Sequence, residues 1–131
     1  MAFVPMLERI RYDGAYPTRE RAAQALYAVL EALGPQLADA ERMELAARLP
    51  VEAARTLTAR RPGVRPRTSW DFVQDVAART GGTPATARWD TGAVLLTVAR
   101  LAGPDLVDRI IDGLPAGYGL LFGRTGLSRA A

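Results

Sequence analysis

The side chains that could do chemistry in this chain are few in kind. Histidine, cysteine and lysine are absent from the 131 residues, and all 17 basic residues are arginine. The commonest general base, the thiol nucleophile and the amine that forms Schiff bases are therefore missing. Asp, Glu, Tyr, Ser and Thr remain as candidates. Because the commonest catalytic side chains are missing, we expect no enzymatic activity, no catalytic residue and no cofactor.

One row of carboxylates has a spacing that could bind a metal ion. Asp105, Asp108 and Asp112 recur at intervals of three and four residues, which places them on one face of a helix. Such a row could bind a divalent cation through its oxygens. The same segment carries Val107 and Ile110 on another face, and the polar face of an amphipathic helix is usually solvated. The pattern favours a solvated acidic face, and we expect no metal site.

Positive charge is concentrated in one stretch of the chain. The net charge is only +3, yet residues 53–70 contain five arginines and no acidic residue. Guanidinium groups suit phosphate recognition, so these arginines are candidate nucleic-acid contacts. The alternative is a solvated linker, which the interspersed prolines and glycine favour. The five arginines are Arg55, Arg60, Arg61, Arg65 and Arg67.

Three aromatic residues are candidate contacts for a partner. Trp70, Trp89 and Tyr118 are of the types that anchor protein interfaces when exposed. The alternative for each is burial, with Trp89 covering the seam between two helical units. An interaction or regulatory role is the leading hypothesis, with another protein or a second copy of the chain as partner. A small apolar ligand carried between the two units is a further alternative.

The elements that would position these residues follow a repeated pattern. The step Leu49-Pro50 recurs as Leu114-Pro115, an offset of 65 residues between positions 49 and 114. Thr18 and Thr83, both good helix N-caps, share this offset. The apolar positions repeat while the surface positions do not. The pattern predicts an internal duplication, in which each copy consists of about four helices.

The expected organisation is one all-α domain of two pseudo-symmetric helical units packed into a bundle. The length of the chain fits a single domain. The predicted segments are 1–131 as one domain, 3–59 as unit one, 60–69 as an Arg/Pro-rich linker, 70–123 as unit two and 124–131 as a flexible tail.

Several helix boundaries are predicted by particular residues. Ser69 is the expected N-cap of the first helix of unit two, and Thr83 caps the next helix with Pro84 in its first position. Proline tolerates the first helical position because its missing N–H has no partner there. Pro50 and Pro115 are therefore expected to open short helices.

The sequence lacks membrane and export signals. No apolar run approaches the ~18 residues that a spanning helix needs. The first ten residues show neither a basic region nor a long apolar core of a signal peptide. Together with the lack of cysteine, these features favour a cytoplasmic protein with no membrane partner.

The second half carries motifs that resemble a known family. These are residues 70–77 (Trp-Asp-Phe-Val-Gln-Asp-Val-Ala), the long segment after Thr83, residues 110–115 (Ile-Ile-Asp-Gly-Leu-Pro) and the pair Leu121-Phe122. They are similar to the bacterial domain-of-unknown-function family 2267, and the resemblance extends from about residue 3 to residue 123. It implies a helical fold of two half-repeats. It brings no activity, cofactor or site residue.

Overall fold

The computed structural model describes residues 2–59 and 66–124. These residues form eight α-helices and one 3-10 turn, and they contain no β-strand. The all-α prediction is therefore confirmed. The helices are α1 (Phe3–Asp13), α2 (Arg19–Leu33), α3 (Asp39–Ala47), α4 (Val51–Thr58), α5 (Ser69–Thr80), α6 (Pro84–Ala102), α7 (Pro104–Asp112) and α8 (Tyr118–Leu121), with the 3-10 turn at Gly34–Gln36. The predicted linker lies mostly, and the predicted tail almost wholly, outside the described residues.

Helices α2 and α6 form the centre of the bundle. Helix α2 packs against α1, α4, α5 and α6, and α6 also contacts α1, α7 and α8. Leu26 and Leu30 of α2 and Leu95 and Val98 of α6 are completely buried. Each of these helices buries residues on more than one side, as expected for a helix surrounded by others, and the burial of their apolar side chains stabilises the bundle.

The helices before and after the linker share one core. Helix α1 packs against α6, α2 packs against α5, and α3 packs against α7. Between α3 and α7, the Arg109 guanidinium donates to both carboxylate oxygens of Glu44, at 2.8 and 2.7 Å. The two groups of four helices therefore make one packed body, while their origin by duplication remains a prediction.

The predicted caps are confirmed at two helices and wrong at a third. The side chains of Thr18 and Thr83 accept hydrogen bonds from the backbone N–H groups of the first turns of α2 and α6. At α5, however, the cap is Thr68, whose hydroxyl accepts from the Asp71 backbone N–H at 3.0 Å. Thr68 has the extended backbone that a cap requires, whereas Ser69 is already helical.

The two Leu-Pro steps differ from each other. Pro50 is the residue just before α4, so it precedes a short helix much as expected. Pro115 does not open a helix, because α8 begins only at Tyr118, after Gly117 has turned the chain with φ +100°. Leu49 is buried, whereas Leu114 is partly buried at the edge of the core.

None of the helices in the two described ranges has both the length and the apolar character needed to cross a lipid bilayer.

Candidate functional site

An apolar groove opens on the surface between the start of α5, the start of α6 and the short helix α8. Its volume is about 360 Å³. Apolar side chains make up most of its lining, and we call it the α5–α6–α8 groove. It is lined by Ser69, Trp70, Val73, Pro84, Ala85, Arg88, Gly117, Leu120 and Leu121.

Helix ends hold the walls of the groove in place. The Thr68 cap fixes the first turn of α5, which carries Trp70. Thr83 and Thr86 form a reciprocal capping box at the start of α6. At α8, a Cβ on Gly117 would lie 2.4 Å from the Ser69 hydroxyl, and φ is +100° there. Only glycine fits this turn, which brings α8 against the start of α5.

The rim of the groove exposes large apolar side chains. Trp70 is 59% exposed and Leu120 is 56% exposed. The only charged lining residue is Arg88, which is exposed and makes no ion pair within residues 2–59 and 66–124. The indole N–H of Trp70 also has no acceptor within these ranges. The groove therefore combines an apolar surface with unused hydrogen-bond donors, and Trp and Arg are the residue types most often found at interface hot spots.

Trp89, the second predicted aromatic contact, lies on a different surface. Its indole N–H donates to the Gly14 carbonyl oxygen at 2.8 Å, so α6 is tied to the end of α1. The side chain is still 58% exposed. It borders a cleft of about 210 Å³ formed with Asp13, Gly92, Ala93 and Leu96. Trp89 does cover part of the seam between the two groups of helices, and it also remains accessible.

Tyr118 is not available to a partner, which corrects the sequence prediction. It is completely buried, and its ring packs edge-on against Phe72 with centroids 5.5 Å apart. Its hydroxyl donates to the Arg67 carbonyl oxygen at 2.9 Å. Burial raises the pKa of this hydroxyl to about 12. The turn at Gly117 directs Tyr118 into the core, so it stabilises α8 and does not present a contact.

The structure describes two of the five candidate arginines, Arg55 and Arg67. Arg60, Arg61 and Arg65 lie outside the described residues. Arg55 is exposed on α4 and has no ion-pair partner among the described residues. The backbone N–H of Arg67 donates to the Gln36 side chain at 2.8 Å, and its guanidinium lies 3.9 Å from Asp75. The contacts of Arg67 therefore mainly hold the segment before α5 in place.

The predicted acidic row on α7 lies at the surface. Asp105 and Asp112 are exposed, and Asp108 pairs with Arg124. Across residues 2–59 and 66–124, no three acidic side chains come close enough to hold a metal ion.

The prediction from sequence missed a buried polar cluster next to Trp89. Asp90 is 1% exposed, and Tyr16 donates its hydroxyl hydrogen to the carboxylate at 2.6 Å. Arg21 donates to both carboxylate oxygens at 3.1 and 3.2 Å, and its guanidinium lies 5.0 Å from the centre of the Tyr16 ring. Burial and the hydrogen bond to Asp90 raise the pKa of Tyr16. We call this set the Asp90 cluster, and it joins α6 to α2 and to the segment between α1 and α2.

Comparison with known proteins places the chain in a family but does not supply an activity. The search of curated proteins finds no match. The family model described as "Uncharacterized conserved protein (DUF2267)" matches residues 3–121. The match covers nearly the whole chain, so this protein belongs to the DUF2267 family.

Proposed function

We propose that this protein is a non-enzymatic protein-interaction module of the bacterial cytoplasm, and that its docking surface is the α5–α6–α8 groove. The supporting observation is that Trp70 and Leu120 remain more than half exposed beside an apolar groove of about 360 Å³. Covering apolar surface contributes about 25 cal/mol per Å², so a partner that covers this rim gains binding energy.

The shape of the groove favours a protein partner over a small ligand. Sites for small molecules enclose most of the ligand and have volumes of roughly 300–1,000 Å³. The groove volume of about 360 Å³ is at the low end of this range. Trp70 and Leu120 line the groove and are still more than half exposed, so they extend its apolar surface outward. A protein that inserts one or two apolar side chains would cover both the groove and its rim.

The lack of histidine, cysteine and lysine supports the non-enzymatic part of the proposal. It removes the commonest general base and two of the side chains that act as covalent nucleophiles, the cysteine thiol and the lysine amine.

Affinity capture with matched variants tests the proposed surface. The groove variant carries Trp70→Ala and Leu120→Glu. The control variant carries Tyr12→Ala and Val51→Glu, which also replace exposed apolar residues but lie on α1 and α4. We expect wild type and control to retain the same partner and the groove variant to lose it. Self-association that only the groove variant abolishes would make the partner a second copy of the chain.

Two results would contradict the proposal. Equal capture by all three proteins would show that the groove is not the docking surface. Purification without a partner but with an apolar metabolite, which the groove variant loses, would support a ligand carrier instead.

Nucleic-acid contact is the alternative function, and the exposure of Arg55 without an ion-pair partner among the described residues favours it. This alternative requires DNA or RNA affinity that falls steeply with salt concentration, because binding to phosphates releases counterions. Titration at two salt concentrations, with wild type and Arg55→Ala, is the measurement. The protein-interaction proposal expects no binding even at the lower salt concentration.

A further inference from the structure

The polar groups around the groove indicate the chemistry of the partner. The polar side chains in the lining are those of Arg88, Trp70 and Ser69, and none is acidic. The guanidinium and the indole can only donate hydrogen bonds. Within residues 2–59 and 66–124, neither group has an acceptor. The groove therefore offers donors and one positive charge beside its apolar surface.

We propose that the groove receives an acidic amphipathic helix of a partner protein, with a carboxylate placed within one helical turn of its apolar anchor. The inference rests on the proposed function of the groove. An apolar anchor would fill the space between Val73, Ala85 and Leu121, which line the groove. The carboxylate would then meet Arg88, and a charged donor and acceptor form the stronger class of hydrogen bond.

A helix fits this surface better than an extended strand. Helices line the groove on all three sides, and the described residues contain no sheet edge on which a strand could form backbone hydrogen bonds. An amphipathic helix in an apolar groove instead binds through side chains at intervals of three and four residues. This spacing also brings a carboxylate next to an apolar anchor on the same face of the partner.

The charge of Arg88 can be reversed without disturbing the core, because the side chain is exposed on α6 and unpaired among the described residues. Arg9 supplies a matched control, since it is an exposed arginine of α1 that likewise has no ion pair within these residues. Circular dichroism and the urea midpoint should be the same for wild type, Arg88→Glu and Arg9→Glu. Differences in binding then report on the local charge at the groove.

The experiment is selection from a displayed library of helical peptides on the immobilised full chain. On wild type and Arg9→Glu, we expect enrichment of Asp or Glu within one turn of an apolar anchor. On Arg88→Glu, the enriched charge should change to Lys or Arg. A synthetic peptide from the wild-type selection should bind Arg88→Glu about tenfold more weakly or worse.

The outcomes separate this inference from the proposed function. One outcome is a set of peptides that need Trp70 for binding but show no charge preference and no response to Arg88→Glu. This result would overturn the proposal of an acidic partner and leave the proposal of a docking groove intact. The other outcome is a selection in which no peptide depends on Trp70, while the binding of dodecanoate does depend on it. This result would overturn both proposals and show that the groove binds a small amphiphile.

Discussion

The Asp90 cluster gives the sharpest test of how the bundle is held together. We expect Asp90→Ala to lower the free energy of unfolding by about 3 kcal/mol, because it removes one partner of a buried ion pair. The structure places this loss near the lower end of the usual range, since the Arg21 side chain is 31% exposed and can regain water. Tyr16 is buried, and its hydroxyl would lose its acceptor.

Urea unfolding followed by circular dichroism measures this change. For a chain of this length, a loss of about 3 kcal/mol corresponds to a fall in Tm of roughly 10–15 °C. The matched control is Asp105→Ala, an exposed acid in the first turn of α7. Its loss should stay below about 1 kcal/mol, which is the usual contribution of a charge at a helix end.

A double-mutant cycle with Tyr16→Phe tests the reasoning itself. Alone, Tyr16→Phe removes a hydrogen bond to a carboxylate and should cost about 1.5–3 kcal/mol. In the Asp90→Ala background it should cost almost nothing, because the hydroxyl no longer has an acceptor. Effects that add to within about 0.5 kcal/mol would refute the cluster as a coupled unit.

Two further predictions concern a glycine and the buried tyrosines. Gly117→Ala should destabilise the protein more than Gly123→Ala. Both positions have positive φ, but only at Gly117 would the new Cβ lie 2.4 Å from a side-chain atom, the Ser69 hydroxyl oxygen. Urea midpoints that agree for the two variants would contradict this account. Stability should also fall above about pH 10, since the pKa of Tyr118 is raised to about 12 and that of Tyr16 is raised as well. Both hydroxyls are protonated in the folded state. Their contribution to the free energy of unfolding is complete below the pKa that tyrosine has in the unfolded chain. It is lost as the pH rises towards the higher pKa of the folded state. Urea midpoints measured from about pH 8 to pH 11 should decline less for Tyr118→Phe than for wild type.

The sequence predicted the helices well because local rules determine them. Thr18 and Thr83 are caps whose partners lie within their own first turns. Such signals depend on neighbours a few residues away. The cap at Thr68 was missed because two hydroxyl residues stand side by side, and only the backbone shows which one is extended.

The contacts that join distant parts of the chain were not predictable in this way. Asp90 pairs with residues 69 and 74 positions away. The predicted 65-residue offset aligns Asp90 with an apolar residue, Ala25. Such an alignment is a weak signal of an internal partner, and it does not identify Tyr16 or Arg21.

Trp70 differs from the other predicted aromatic contacts in how its polar group is used. The indole N–H of Trp89 and the hydroxyl of Tyr118 both donate to backbone carbonyls within the protein. Both donors therefore already hold the fold together. Trp70 is exposed to about the same extent as Trp89, but its N–H has no acceptor within residues 2–59 and 66–124. A partner on the α5–α6–α8 groove could satisfy this donor without breaking any contact of the fold, and this is why we place the docking surface at Trp70 and not at Trp89.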